Sequence, residues 1–302
     1  MNKNKKFKPM LLSNDKFDVN ALDYTNKFIS KKRDGVRAEV TKEGINGRSL
    51  KVLRNKKMQT FFKEIYEQLS DGIILEAEIY ADGIPCREMA GICNSSDKDI
   101  PENTKLYVFG VYNSELDFES RIKLLNDIIT QNNFSSKLEI VKQLKIKSAK
   151  EATKKYDEFI AEGFEGAVLM DGAKKYKTGR VTIKQDIGYK MKPFKEDDLE
   201  IIQVNERFIN TNESEINELG RSYKRNTLDA KQATGIAATF TCKLGDIETK
   251  VTITGDEESR KKIWENKEDY IGKYVVIKSM AYGVKDRLRH PTMIEIKEKC
   301  EK

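Results

Sequence analysis

Hydrophobic and polar positions along the 302-residue chain change period several times. Ile73-Ile74-Leu75-Glu76-Ala77-Glu78-Ile79-Tyr80 alternates from Leu75 onward and stops at the turn signal Asp82-Gly83, which predicts a strand with Glu76 and Glu78 on one face. Phe28 to Val40 reads as strand, turn and strand, and Leu50 to Arg54 as another short strand. From Gln59 to Leu69 the apolar residues Phe61, Phe62, Ile65, Tyr66 and Leu69 recur at helical spacing. Leu106 to Tyr112 is an apolar strand and Phe118 to Ile129 an amphipathic helix. Ser148 with Glu151 forms a capping box that opens a helix through Ile160, ended by Gly163. A strand pair follows, Gly166 to Met170 and Gly188 to Lys192, linked by a basic segment.

Pro193 marks a boundary, because it cannot donate to a ladder. Beyond it the short strands Leu199 to Val204, Ala237 to Lys243, Glu248 to Thr254, Tyr274 to Ser279 and Met293 to Lys297 are interrupted by a polar stretch, Asn210 to Thr234. A helix around Ser259 to Trp264 sits between the third and fourth of them, the pattern of a small barrel of the OB type, a fold that commonly binds nucleic acid. The fold class expected is α+β. Residues 1–195 make a domain of antiparallel sheets with flanking helices, and residues 196–302 a C-terminal β-barrel.

Length agrees with two domains, at the usual size of about 150 residues each. A composition of 38% hydrophobic and 35% charged residues excludes disordered and membrane classes. No apolar run reaches the roughly 18 residues of a spanning helix, and Met1 to Lys8 lacks the apolar core of a signal peptide. A cytoplasmic protein with no membrane partner is expected, in the host cytoplasm if the source is viral. Cys86, Cys93, Cys242 and Cys300 form no CxxC pair, so neither a zinc site nor a disulfide framework is indicated. The net charge of +7 and pI near 8.9 permit an anionic partner without requiring one.

Candidate chemistry starts at Lys32-Arg33-Asp34-Gly35-Val36-Arg37, a lysine beside a tight turn with two arginines and a carboxylate. Alone it is weak, since the chain has 56 Lys plus Arg. Downstream it acquires Glu78 on a strand, Glu165-Gly166 opening another, and Lys190 and Lys192 on one face of a third. The ordered set is far less prone to chance than any member. Taken singly, Glu165 would mark a strand start, Phe109 a core residue, Lys190 and Lys192 a solvated face, and His290, the single histidine, a packing or phosphate-contact residue.

This series resembles the covalent nucleotidyltransferases: ATP-dependent DNA ligases, RNA ligases and messenger-RNA capping enzymes. The motif KxDGxR matches Lys32 to Arg37. The next element, Ser-Arg before a glycine turn, corresponds to Leu53-Arg54-Asn55-Lys56, which keeps the arginine. The DGE strand becomes Glu76-Ala77-Glu78, and the aromatic strand Phe-Asp becomes Phe109-Gly110. EGxV stands at Glu165 to Val168 and the lysine pair in Tyr189-Lys190-Met191-Lys192. Gly283 to Pro291 looks like the GxLRHP element of phage and bacterial two-domain DNA ligases, while the arginine-rich motif expected after it is reduced to Lys297-Glu298-Lys299.

The resemblance implies an ATP-dependent DNA ligase. Lys32 becomes a lysyl-AMP, passes AMP to a 5′-phosphate, and a neighbouring 3′-hydroxyl displaces it. Arg37, Arg54, Glu78, Phe109, Lys190 and Lys192 would bind the nucleotide, with Phe109 stacking on adenine. Glu78 and Glu165 would hold Mg²⁺, a hard ion for which Mn²⁺ can substitute. A lysine amine attacking phosphorus must be neutral, whereas its ordinary pKa is about 10.4, so neighbouring cations and partial burial are needed. The same cations stabilise phosphate oxygens and departing pyrophosphate.

The partner implied is nicked double-stranded DNA, held by Lys175, Lys177 and Arg180 of the basic segment and by Arg287 and Arg289 of the barrel. A solvated hairpin is the plainer reading of the basic segment. A monomer is expected, with no DNA-encircling domain ahead of Lys32 and a hinge near Pro193. Three alternatives stay open: an RNA ligase, a capping-type guanylyltransferase using GTP, and a non-enzymatic OB-containing binding protein.

Overall fold

A computed structural model describes residues 7–13, 17–216, 222–284 and 287–298, with the side chains of 281–284 and 287 outside the description. The chain divides into two compact units, Met1–Lys192 and Pro193–Lys302. Among the described residues no helix is long and apolar enough to cross a membrane.

In the first unit the elements run β1 (Lys27–Lys32), β2 (Val36–Thr41), β3 (Gly44–Gly47), α1 (Lys56–Phe61), α2 (Lys63–Tyr66), β4 (Leu75–Tyr80), α3 (Cys86–Asn94), β5 (Lys105–Val111), α4 (Phe118–Gln131), β6 (Leu138–Ile140), β7 (Leu144–Lys145), α5 (Ala149–Ala161), β8 (Gly166–Asp171) and β9 (Gly188–Met191). They build two sheets, ordered β3-β2-β4-β5-β6 and β7-β1-β8-β9. Arg33, Asp34 and Gly35 carry the chain from β1 in the second sheet to β2 in the first. Gly35 is required at that crossing: a Cβ there would lie 2.4 Å from the Ile79 carbonyl oxygen.

Alternation along β4 puts Leu75, Ala77 and Ile79 into the core of the larger sheet, against Met58, Phe62 and Ile65 of the α1–α2 region. Each fully buried side chain of that size stabilises the fold by roughly 1.5–3 kcal/mol. A second cluster packs α5, through Ala152 and Phe159, onto Ile29, Ala167 and Leu169 of the smaller sheet. Lys27 lies at the inner end of β1, wholly buried, with its ammonium 2.7 Å from Asp171 and 2.8 Å from Asp186. The Tyr189 hydroxyl donates to the same Asp186 at 2.8 Å, so one buried polar knot ties β1, β8 and β9 together.

Several boundaries differ from the sequence reading. The helix expected over Gln59 to Leu69 is two short helices that break at Phe62, and it begins earlier, where the buried Asn55 side chain accepts from the Met58 amide at 3.1 Å. No strand forms over Leu50 to Arg54: Leu50 has a left-handed φ of 63°, and only an isolated bridge joins Val52 to Asn46. Ser148 caps α5 as anticipated, while the Glu151 carboxylate accepts from the Lys147 amide at 2.9 Å. β3, α3, β6 and β7 have too little periodicity to be read from sequence.

The second unit contains β10 (Phe194–Asn210), β11 (Ser214–Ile216), β12 (Ser222–Lys224), β13 (Lys231–Leu244), β14 (Ile247–Thr252), α6 (Glu257–Glu265), β15 (Tyr274–Val284) and β16 (Arg287–Lys297). Five strands close a barrel in the order β10-β13-β14-β16-β15 around Ile201, Phe240, Val251, Val275 and Ile277, all essentially inaccessible. β10 pairs first with β15 and then, past Glu200, with β13, so it serves both of its neighbours in turn. Asp256 caps α6 between β14 and β15. The polar stretch after Asn210 holds an unanticipated hairpin, β11–β12.

Candidate active site

Strand register assembles the site of the first unit. Lys32 ends β1 opposite Gly166, and its carbonyl accepts from the Glu165 amide at 3.0 Å, which sets Glu165 beside the lysine. Val168 opposite Lys190 brings β9 alongside, and Arg37 of β2 lies opposite Glu78 of β4. These residues surround a cavity of about 290 Å³, whose lining includes Lys32, Arg37, Glu78, Phe109, Lys190 and Lys192. An apolar side is supplied by Leu12, Leu125, Val141, Val168 and Met170.

Glu165 bridges two cations, one oxygen pairing with Lys32 and the other with Lys192. The Lys32 ammonium also donates to the Arg33 carbonyl at 3.2 Å. Burial pushes the Glu165 carboxyl up, but the two ammoniums outweigh it and hold it below the ordinary carboxylate value. Glu78 goes the other way: burial dominates over Lys32 and Arg37, and the neighbouring Glu165 charge adds to it, pushing the carboxyl up to about 7. One Glu78 oxygen accepts from the Gly35 amide at 3.1 Å, tying it to the turn behind Lys32. Lys190 is pulled down to about 8 by burial, with Lys192 and Lys32 adding repulsion.

Arg37 is held within the wall of the cavity. It pairs with Glu76 and donates to Glu39 at 2.9 Å, and its guanidinium sits 4.7 Å from the Phe109 ring centroid. Burial alone would lower its affinity for a proton, but Glu76 and Glu39 more than reverse that. Glu39 is completely buried, which pushes its carboxyl up. The other arginine of the opening motif, Arg33, lies 3.6 Å over the Tyr107 ring and 5.0 Å from Phe164.

The structure does not bring Arg54 to the cavity. Its neighbours Leu53 and Asn55 are buried, so the residue between them faces outward and is exposed. Arg48 lines the cavity instead, carried there by the turn after β3 in which the Leu50 amide bonds the Gly47 carbonyl at 2.8 Å. A second arginine followed by a polar residue, Arg48-Ser49, was the available signal. Glu76, Ser30 and Arg121 also line the cavity and went unrecognised, and Tyr176 was hidden inside a basic run although it is buried.

Lys175 and Arg180 are exposed, Lys175 lies 3.9 Å from Glu115, and Lys177 donates to Gln185 at 2.6 Å. On the barrel unit, Arg289 of β16 stands opposite Met280. Arg287 opens the same strand with its side chain outside the described residues. His290 is exposed with a left-handed φ of 52°. Lys285, Asp286 and Lys299, from the two C-terminal motifs, lie outside the described residues.

Divalent-metal capacity is limited. Glu78 and Glu165 offer hard oxygens that suit Mg²⁺, an ion that completes its shell with water and phosphates. Among the described residues no group of three His, Cys, Asp or Glu side chains converges. Both Glu165 oxygens are engaged by lysines, so a cation competes with ammonium groups for them.

A lysine at the crossing of two sheets, of which the larger departs from the expected antiparallel pairing where β5 and β6 run parallel, facing carboxylates and further lysines over a pocket, with a five-stranded barrel following in the chain, defines a two-unit α+β protein of nucleotidyltransferase architecture. Residues 9–192 match the family model of the ATP dependent DNA ligase domain, and the chain belongs to that family. It is similar to the DNA ligases of African swine fever virus, 27% identical over 165 residues to that of a warthog isolate from Namibia and 28% over 167 residues to that of a pig isolate from Kenya. Those alignments take in 51% and 52% of this chain and 39% of each relative, so the chain covers about two-fifths of the length of the relatives it matches. In fold it is similar to Chlorella virus DNA ligase-adenylate, with a TM-score of 0.54 at 22% identity over 98% of this chain and 99% of that one. A Lig E DNA ligase structure gives a TM-score of 0.69 at 15% identity, over 92% and 94% of the two chains.

Proposed function

We propose that the chain is an ATP-dependent DNA ligase that seals nicks between 3′-hydroxyl and 5′-phosphate ends through a covalent adenylate on Lys32. The observation that carries this reading is the Lys32–Glu165–Lys192 bridge, whose two lysines line a cavity that Phe109 and Tyr107 also line. Lys32 Nζ attacks the α-phosphorus of ATP, the bond to pyrophosphate breaks, and a phosphoramide to AMP forms. Phe109 stacks on the base, Glu78 and Arg48 face the sugar and phosphates, and Lys190 and Lys192 meet the charge that grows on the phosphoryl oxygens.

Burial among other cations weakens the hold of Lys190 on its proton, and phosphate oxygens bound beside it would strengthen that hold. Glu78 and Glu165 are the residues to hold Mg²⁺, which when bound supplies charge neutralisation at the phosphates. In the second step AMP passes to the 5′-phosphate of a nick, and in the third the 3′-hydroxyl displaces it. Lys175, Lys177 and Arg180, with Arg287 and Arg289 of the barrel, supply contacts to the DNA backbone. The viral relatives fit work in a host-cell cytoplasm, and the reading takes the chain to act as a monomer.

Incubation with α-labelled ATP and Mg²⁺ tests the first step. Wild type takes up label and Lys32→Ala takes up none; label retained on the variant overturns the assignment. Comparing nicked DNA with nicked RNA as acceptor then separates this reading from an RNA ligase.

A further inference from the structure

β4 and β5 pair Glu76 with Gly110 and Ala77 with Val108. One step along β4 therefore matches two along β5, and Phe109 is the extra residue of a bulge, released from the alternation so that it lines the cavity. Glu76 stands at that bulge, 5% exposed. Its Oε1 accepts from the Tyr176 hydroxyl at 2.7 Å and pairs with Arg37, whose guanidinium lies 4.7 Å from the Phe109 centroid. Tyr176 in turn accepts from the Met10 amide at 2.7 Å, and Met10 belongs to the cavity wall.

The other oxygen, Oε2, fills the space beside Gly110. A Cβ at residue 110 would come within 2.9 Å of it, closer than carbon and oxygen pack. The backbone at 110 is not the reason for glycine, since its φ lies outside the left-handed region. The space is the reason: a side chain at 110 would displace the Glu76 carboxylate from the place in which it meets Arg37 and Tyr176.

Glu76 and Gly110 are a cross-strand pair. We propose that they act as one matched pair, in which the Glu76 carboxylate takes the room left by the missing side chain at Gly110, and that the pair positions Arg37 and Phe109 for the purine base. Glu76 and Gly110 are then positioning residues for nucleotide binding, which rests on reading the cavity as the ATP site.

The test is a double-mutant cycle in the full chain with Glu76→Asp, Gly110→Asp and the two together, the last shortening one side chain as it lengthens the other. ATP affinity is measured by calorimetry with divalent metal chelated, and KM and kcat by labelling of Lys32. Each single variant is expected to weaken ATP binding about tenfold, with the loss in KM rather than kcat, and the double variant to recover to within about threefold of wild type. Double-variant affinity equal to the product of the two single losses overturns the proposal, as do single variants that bind ATP like wild type. A general loss of structure would depress melting temperature in all three variants without the recovery. If Gly110→Asp does not fold, Gly110→Ala, which adds the Cβ alone, carries the same comparison. Failure of wild type to label Lys32 at all would instead sink the reading of the site.

Discussion

Around Lys32, two carboxylates are set to different tasks by their surroundings alone. Glu165, between two ammoniums, is held below the ordinary carboxylate value, whereas Glu78, where burial outweighs the pull of Lys32 and Arg37, holds its proton up to about 7. The unfolded chain releases that proton near 4.5, so between pH 4.5 and 7 the folded state keeps a proton that the unfolded state has lost. Stability attributable to Glu78 therefore falls as pH rises through that window and is level above it. Glu78→Gln, which retains an oxygen for the Gly35 amide, escapes this loss. Its advantage over wild type in urea denaturation should grow from pH 5 to about 7 and reach about 1–2 kcal/mol, after allowing for screening by water in the open cavity. An advantage independent of pH would show that Glu78 ionises normally. Lys32, Glu78, Glu165, Lys190 and Lys192 stand out in the sequence because they fall in short ordered motifs. Glu76 shares the strand face of Glu78, but its tie to Arg37 and Tyr176 depends on a bulge, and Arg48 and Tyr176 depend on a turn and a buried hydroxyl, none of which has a spacing in sequence.

Strands and helices with a clear period were readable from the chain, and those whose reasons lie elsewhere were not. Leu75 to Tyr80 alternates and forms β4 as expected, and Ser148 caps α5. Leu50 to Arg54 looked extended, yet Arg48 to Leu53 turns so that Leu53 reaches the core. The barrel strands were read too short because their polar flanks pair in the ladders regardless of hydrophobicity, as from Glu206 to Asn210 against Ala237 to Lys231. Lys27 is a similar case, a charged residue at a fully buried position that β1 tolerates because two carboxylates meet it. Lys27→Met leaves Asp171 and Asp186 facing each other without a cation and should cost about 3–5 kcal/mol in denaturant titration. A cost under 1 kcal/mol would mean that the pair relaxes into water. The basic segment before β9 makes a separate prediction. Reversing Lys175 and Lys177 to glutamate should lower the slope of log affinity for nicked DNA against log salt by about 2, the equivalent of two phosphate contacts. An unchanged slope removes that segment from the DNA surface.

At the scale of the whole chain, nucleotide handling and barrel formation draw on separate parts of the sequence. Every residue lining the cavity falls between Met10 and Lys192, and the family match ends at the same lysine. The barrel unit has its own core, centred on Phe240 and Val251, and its strands close on themselves without a contribution from the first unit. The first unit likewise buries its apolar residues in clusters drawn wholly from its own elements. A fragment of residues 1–192 should therefore fold cooperatively and bind ATP within a factor of about ten of the full chain, a difference of no more than about 1.4 kcal/mol. Sealing is a different matter, because Arg287 and Arg289, which we propose contact the acceptor DNA, are absent from that fragment. The expected result is a fragment whose melting temperature rises with added ATP but which joins no nicks. If ATP leaves its melting temperature unchanged while stabilising the full chain, residues beyond Lys192 complete the nucleotide site, and the division of labour between the units is wrong.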